Sequence, residues 1–235
     1  MRTLIILSSD LKNIFRDRSL SVILFVPFIF LAILRILPPL YESYLPVMTA
    51  YRTHILSAFC IISSGLMGFI MSFIFLEEKD QQLIPVFQVM PMPASYFLFC
   101  RTLTILLFGF IGNFFLIEFS NMIAVNTGKA LLLSLAASFT GPSSTFLITA
   151  LAKNKIEGVT YFKLFNSLLL MPIAGFFIAS KFSLLFGIIP YYWIYSSIIG
   201  NSYIPQSVSL FLALFLNFIF MIAAFLFFLR KTYRV

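Results

Sequence analysis

Residues 55–80 read ILSAFCIISSGLMGFIMSFIFLEEKD. From Ile55 to Leu76 there is no charged side chain, and a helix of that length reaches about 33 Å, enough to cross the ~30 Å hydrocarbon of a bilayer. The run then stops abruptly on Glu77-Glu78-Lys79-Asp80. A long apolar run closed by a charge cluster marks a membrane-spanning helix and the loop that follows it.

Further apolar runs lie on both sides: Leu20–Leu37, Thr102–Val125, Ala130–Ala152, a long region Leu164–Ile199, and Val208–Leu229. The long region exceeds the length of one crossing and is interrupted by Pro172, Gly187 and Pro190. It divides into a fifth span, Leu164–Ser180, and an element over 181–204 of short apolar helices that dip into the outer leaflet and return. Irregular backbone at that depth must be shielded by protein or water. The expected fold is therefore an all-α integral membrane domain over residues 1–235, with six transmembrane helices. The composition agrees, with 61% hydrophobic and only 10% charged residues among 235. Six spans use ~120 residues, which leaves no room for a soluble catalytic domain.

Six crossings put both termini on one side. With the termini inside, twelve of the sixteen Lys and Arg side chains are cytoplasmic, leaving Arg35, Arg52, Lys129 and Lys181 outside. This is the positive-inside bias of a multi-pass protein of the cell (inner or plasma) membrane. The net charge of +8 then reads as anchoring to anionic lipid, and nucleic acid is not an expected partner. Cys60 and Cys100 fall at different depths, too far apart for a disulfide, and no cleavable signal peptide is read.

Three cytoplasmic segments are candidates for function. In residues 1–18, Leu4, Leu7, Leu11, Ile14 and Phe15 recur at helical spacing opposite Ser9, Lys12, Asn13 and Arg16. This fits an interfacial amphipathic helix or a plain extension of the first span. The connection over 77–95 follows its charge cluster with an amphipathic stretch, apolar at Leu83, Phe87 and Met90, before Pro91 and Pro93. Such a stretch suits a groove on a partner; the alternative is a solvated turn. The third segment, Lys153-Asn154-Lys155-Ile156-Glu157-Gly158 followed by Lys163, reads as an inner loop.

Within the membrane the polar candidates for a pathway are Asn113, Glu118 and Asn166, with Glu118 near enough to the outer headgroups to snorkel. Gly141-Pro142 is expected to kink the fourth span, with neighbouring hydroxyls satisfying the freed carbonyls. No catalytic or metal-ligating residues are assigned. There is no G-x-x-x-x-G-K-[ST] to cradle nucleotide phosphates, and His54 is the sole histidine. An uphill transporter of this composition needs a partner to supply its energy. A membrane-embedded enzyme or scaffold without an ATPase is the competing reading. It requires polar groups converging on one cavity near Asn113 and Glu118.

Four segments carry a resemblance to a known family. They are Asp10–Arg18 leading to Pro27, Glu77-Glu78-Lys79-Asp80 with Leu83 and Pro91, Asn154–Gly158 with Lys163 and Pro172, and Ile189-Pro190-Tyr191-Tyr192-Trp193. Together they resemble the ABC-2 type permeases, membrane subunits of bacterial ATP-binding-cassette exporters, most closely small multidrug-export permeases. Haem-exporter permeases share the size and span count. The family often has Gly-Thr at Gln81-Gln82 and Lys at Arg101.

The resemblance implies a type V exporter-like fold, a second permease copy (identical or not) and a cytoplasmic ATPase. ATP and Mg would be held by that partner, and this chain would bind no cofactor. It further implies ATPase coupling through Glu77, Glu78, Lys79, Asp80, Leu83, Phe87, Met90 and Pro91, supported by Lys12, Arg16, Lys155 and Glu157. The cargo would be an apolar or amphipathic drug, lipid or peptide, for which the 31 Phe offer apolar surface.

Overall fold

A computed structural model describes residues 12, 14–16, 18–42, 46–82, 94–178 and 181–232. All regular structure among them is helical. The α-helices are α1 (Arg18–Leu24), α2 (Val26–Glu42), α3 (Arg52–Asp80), α4 (Ala94–Phe119), α5 (Thr127–Ser138), α6 (Thr140–Leu151), α7 (Lys155–Leu170), α8 (Tyr191–Ile199) and α9 (Gln206–Thr232). Short 3-10 turns cover Pro46–Tyr51, Met171–Phe177 and Lys181–Ile188. Among the described residues five helical stretches are long and apolar enough to cross a membrane: Thr49–Asp80, Tyr96–Phe119, Thr127–Leu151, Lys155–Phe177 and Gln206–Thr232.

The spine is α3, which packs against α4, α6, α7 and α8. It can touch so many neighbours because small residues replace bulk along it. Ser64, Gly68 and Ser72 recur every fourth residue, the spacing that lets membrane helices approach closely. The contact is tightest at Gly68, where a Cβ would lie 2.2 Å from the Gly141 carbonyl oxygen and 2.0 Å from Ser144 Oγ. Thr145 Oγ1 donates to the Gly68 carbonyl at 2.9 Å, tying α6 to α3 at the same point. On another side, Gly112 of α4 meets the ring of Pro27, with 2.8 Å between a would-be Cβ and Cγ.

Among the described residues the apolar interior forms two large layers, with a small third group of Leu76, Ile148 and Ala152. One gathers Ile14, Leu20, Met71, Ile74, Phe75, Leu98, Phe146 and Phe228 near the Glu77 end of α3. The other gathers Leu34, Leu56, Cys60, Leu116, Leu133, Leu169, Tyr195 and Ala213 toward the opposite end. Cys60 and Cys100 are both free and buried.

The Gly141-Pro142 interruption divides the fourth span at Phe139, between α5 and α6. Hydroxyls donate to carbonyls on either side of the break. Ser138 Oγ donates to Leu135 at 2.7 Å, Ser143 Oγ to Phe139 at 2.8 Å and Ser144 Oγ to Gly141 at 2.7 Å.

The chain between the fifth and last spans descends beside α9 and climbs back. Asn217, near the middle of α9, donates Nδ2 to the Pro190 carbonyl at 3.0 Å. Ser196 Oγ pairs at 2.9 Å with Ser209 Oγ, eight residues closer to the start of α9. The α8 helix therefore rises from the level of Asn217 to that of Ser209, with Tyr195 Oη donating to the Leu169 carbonyl at 3.1 Å on the way. Gly200 ends it at φ 91°, a conformation that favours glycine.

Three boundaries differ from expectation. Glu77–Asp80 are not loop: α3 runs through them to Asp80, and the Gln81 and Gln82 amides close its last turn onto Glu77 and Lys79. The third span begins at Ala94 and ends at Phe119, not Val125, because Asn121 takes a left-handed φ of 58°. The fifth span begins at Lys155, within the stretch read as an inner loop. Asn154 Oδ1 accepts from the Glu157 amide at 2.9 Å, and Glu157 Oε2 accepts from the Lys153 amide at 2.8 Å. This reciprocal capping starts the helix nine residues before its continuous apolar run.

The Gly68 contact generates a prediction. Gly68→Ala is expected to destabilise the chain by about 1–3 kcal/mol, because the new Cβ meets backbone that cannot move aside. Gly109→Ala, whose nearest neighbour would be 3.5 Å away, should be tolerated. Thermal unfolding in detergent checks both, and equal melting of the two variants would contradict the packing argument.

Candidate functional site

Successive residues on a helix point about 100° apart, so the last turn of α3 can reach three neighbours at once. Glu78 faces α4. Its carboxylate takes both terminal nitrogens of Arg101, Nη1 to Oε2 at 2.6 Å and Nη2 to Oε1 at 2.5 Å. Arg101 is 3% exposed, with its guanidinium 4.7 Å from the Phe75 ring centroid and 4.2 Å from that of Phe97. A planar guanidinium can bind a carboxylate along its edge while its faces contact aromatic rings; an ammonium cannot.

Glu77 faces α7, where its Oε2 lies 3.2 Å from Lys155 Nζ. Both side chains of that pair are more than a third exposed, so it adds little stability by itself. Lys79 faces the end of α6 and donates Nζ to the Ala152 carbonyl at 2.9 Å. A cation there satisfies a free helix-terminal carbonyl and suits the negative end of the helix dipole. Three consecutive side chains thus join the ends of α3, α4, α6 and α7.

The remaining sequence-predicted residues at this end take different positions. Asp80 is exposed beyond the knot, and Gln82 turns the chain away with φ 56°. Leu83, Phe87, Met90 and Pro91 lie outside the described residues, as does most of 1–18. Lys12 and Arg16 are helical and exposed, while Ile14 between them is 3% exposed and belongs to the nearby core layer. Glu157 serves the turn before α7 through its bond to the Lys153 amide.

The three pathway candidates do not meet. Asn113 is buried and donates Nδ2 to Ser64 Oγ at 2.7 Å. Asn166 approaches α3 from α7, its Oδ1 3.8 Å from where a Gly65 Cβ would stand. The two asparagines therefore flank α3 at adjacent positions. Glu118 lies apart, accepting from Thr127 Oγ1 at 3.0 Å across the turn between α4 and α5. Asn113 and Glu118 do not converge on one polar cavity among the described residues. Among the described residues no group of three or more His, Cys, Asp or Glu is placed to hold a metal ion.

Sequence reasoning missed Phe75, Phe97 and the role of Arg101. The available signal was an arginine set among apolar residues at 94–119, with aromatics one turn away on either partner helix. What this arrangement can do is mechanical: the segment between Gln82 and Ala94 leaves and re-enters helices that are locked to one another at its base.

Residues 10–229 match the family described as fluoroquinolones export permease protein Rv2686c-like. The chain is 26% identical over 193 residues to the fluoroquinolones export permease protein Rv2686c of Mycobacterium tuberculosis (strain ATCC 25618 / H37Rv). That alignment covers 79% of this chain and 77% of the relative. The protein MT2760 of strain CDC 1551 / Oshkosh, with the same description, matches to the same extent. No solved structure matches significantly.

The geometry predicts that Arg101→Met will destabilise the chain by about 3–5 kcal/mol, the usual effect of leaving a buried partner charge uncompensated. Arg101→Lys should recover only part of this. The double variant Arg101→Met, Glu78→Leu should lie closer to the native protein than Arg101→Met alone. Melting of the purified variants in one detergent measures the series, and purely additive effects would contradict a direct pairing.

Proposed function

Because this chain belongs to the Rv2686c-like family of fluoroquinolones export permeases, we propose that it is the membrane subunit of an ATP-driven exporter of the ABC-2 type. It sits in the cell membrane with both termini in the cytoplasm and works with a second permease copy and a separate cytoplasmic ATPase. Six crossings complete this topology, α1 and α2 over residues 18–42 supplying the one beyond the five apolar spans. The elements over 181–204 form a re-entrant rim at the outer side, a reading supported by the approach of Pro190 to Asn217.

The observation that carries the coupling mechanism is the knot at Glu77-Glu78-Lys79. ATP and Mg are held by the partner, and the closing of the ATPase pair pushes on the cytoplasmic surface around Asp80 and the segment that follows it. Loosely joined helices would absorb such a push locally. Here Glu78, Lys79 and Glu77 pass it to α4, α6 and α7 together, so the helices tilt as a body. Lys12, Arg16 and the turn at Lys155 and Glu157 border the same surface. The cargo is an apolar or amphipathic compound, as the fluoroquinolones named for the relatives are.

The tagged chain purified from intact membranes with ATP present is expected to bring down an ATPase subunit. Asp80→Lys should reduce the ATPase recovered several-fold while leaving the melting temperature of the permease unchanged, since Asp80 is exposed. Vesicles carrying the complex should accumulate a fluoroquinolone only when ATP is supplied. Recovery of no ATPase under these conditions would remove the basis of the proposal.

A further inference from the structure

The exposed surfaces of the spans differ in one respect. Along α9, every exposed side chain from Val208 to Leu229 is apolar, and the same holds along α4 from Phe99 to Phe119. On α5 and α6 the exposed positions from Ala130 to Leu151 are likewise apolar. Such faces suit lipid. The fifth span departs from this pattern although it is the least buried of the five, at 17% against 22–78% for the others. Its exposed face carries Thr160, Lys163 and Ser167 beside Leu164, Leu168 and Met171. The polar three lie at i−3, i and i+4 about Lys163, so they form one stripe.

The stripe lies within the fifth apolar span, Lys155–Phe177, although Lys163 counts with the cytoplasmic cations where the apolar run alone sets the boundary. Phe162 packs against Phe69 with ring centroids 4.2 Å apart, and Phe69 lies eight residues, about 12 Å along the helix, from Glu77. With Glu77 taken as the inner edge of the hydrocarbon, Lys163, next to Phe162, leaves its helix roughly two fifths of the way across. Its four-carbon stem can recover only part of that depth by snorkelling. No acidic side chain of the described residues pairs with it, and the Ser167 hydroxyl is spent on the Lys163 carbonyl at 3.1 Å. An ammonium at such a depth requires water or a counter-charge, and no ion pair among the described residues supplies one.

We propose that this face of α7 lines a water-accessible pathway, and that Lys163 receives the anionic group of an amphiphilic cargo. The apolar body of the cargo lies along Leu164, Leu168 and Met171, which are 60%, 47% and 52% exposed. The inference rests on the exporter reading and adds a chemical class to it: a carboxylate or comparable anion on an apolar frame. Charge complementarity selects this occupant over a neutral lipid chain, which would be better served by the apolar faces of α4 and α9.

The test uses the permease with its ATPase in phosphatidylcholine nanodiscs and two probes of one skeleton, pyrenebutyrate and pyrenebutanol. The native complex should bind the carboxylate about tenfold tighter than the alcohol, the scale of one charge-assisted contact. Lys163→Met should abolish the preference and Lys163→Arg should keep it. Lys163→Cys should lose it and regain it on modification with an aminoethyl methanethiosulfonate, which restores a cation on an already folded chain. An absent preference in the native complex, or one unchanged by Lys163→Met, overturns the proposal. So does a preference erased by adding phosphatidylglycerol, because the lipid headgroup would then be the natural occupant. ATPase retention and ATP hydrolysis in the same discs report separately on the exporter reading.

Discussion

The bidentate pair of Arg101 with Glu78 is the interaction on which the Glu77 end of the molecule depends. A buried ion pair loses much of its attraction to the cost of leaving water. Here that cost is offset by two parallel hydrogen bonds and by the Phe75 and Phe97 rings against the guanidinium. The pair sets the distance between the end of α3 and the start of α4. The bond from Lys79 to the Ala152 carbonyl and the Glu77–Lys155 pair extend the same constraint to α6 and α7. An acidic cluster on a membrane protein invites reading as a surface for a partner. In this chain Glu78 is turned inward to Arg101 and Lys79 to the end of α6, while Glu77 is partly exposed and Asp80 is exposed.

Much of the remaining packing follows the rule that, away from water, polar groups find partners within the protein, although among the described residues the Oδ1 atoms of Asn113, Asn166 and Asn217 are buried without one. Along α3 and α6 small residues bring two backbones into contact, and the Ser143 and Thr145 hydroxyls donate to the Phe139 and Gly68 carbonyls beside the Pro142 break. At mid-membrane the asparagines do similar work: Asn113 holds α4 to Ser64, and Asn217 holds α9 to the Pro190 turn. Polar residues that bind the helices together are thereby distinguished from the stripe on α7, whose Thr160 and Ser167 hydroxyls bond within their own helix.

Much of the membrane organisation was legible in the residues alone. Five of the expected apolar runs coincide with helices long enough to span, because hydrocarbon thickness dictates length and lack of charge dictates position. The break at Gly141-Pro142 and the short helices after Lys181 were legible as well, since proline and glycine act locally. Helix ends were read less well. Glu77–Asp80 look like loop by composition, yet a charged last turn remains helical when each side chain has a partner. Lys155 starts a helix well before hydropathy rises, because Asn154 and Glu157 cap it.

Composition and hydropathy by themselves determined that this is a membrane-spanning helical protein, where its apolar helices lie, and that it carries no nucleotide-binding loop of the G-x-x-x-x-G-K-[ST] kind. Those properties depend on single residues or on runs of neighbours along the chain. Only the tertiary structure decided that Glu78 belongs to Arg101, that Lys79 caps α6, and that Asn113 and Asn166 flank α3 while Glu118 stands apart. Each of these joins residues tens of positions apart. Which side chains meet across such separations is set by how helices rotate and cross, and that depends on the close packing of small residues rather than on any local pattern.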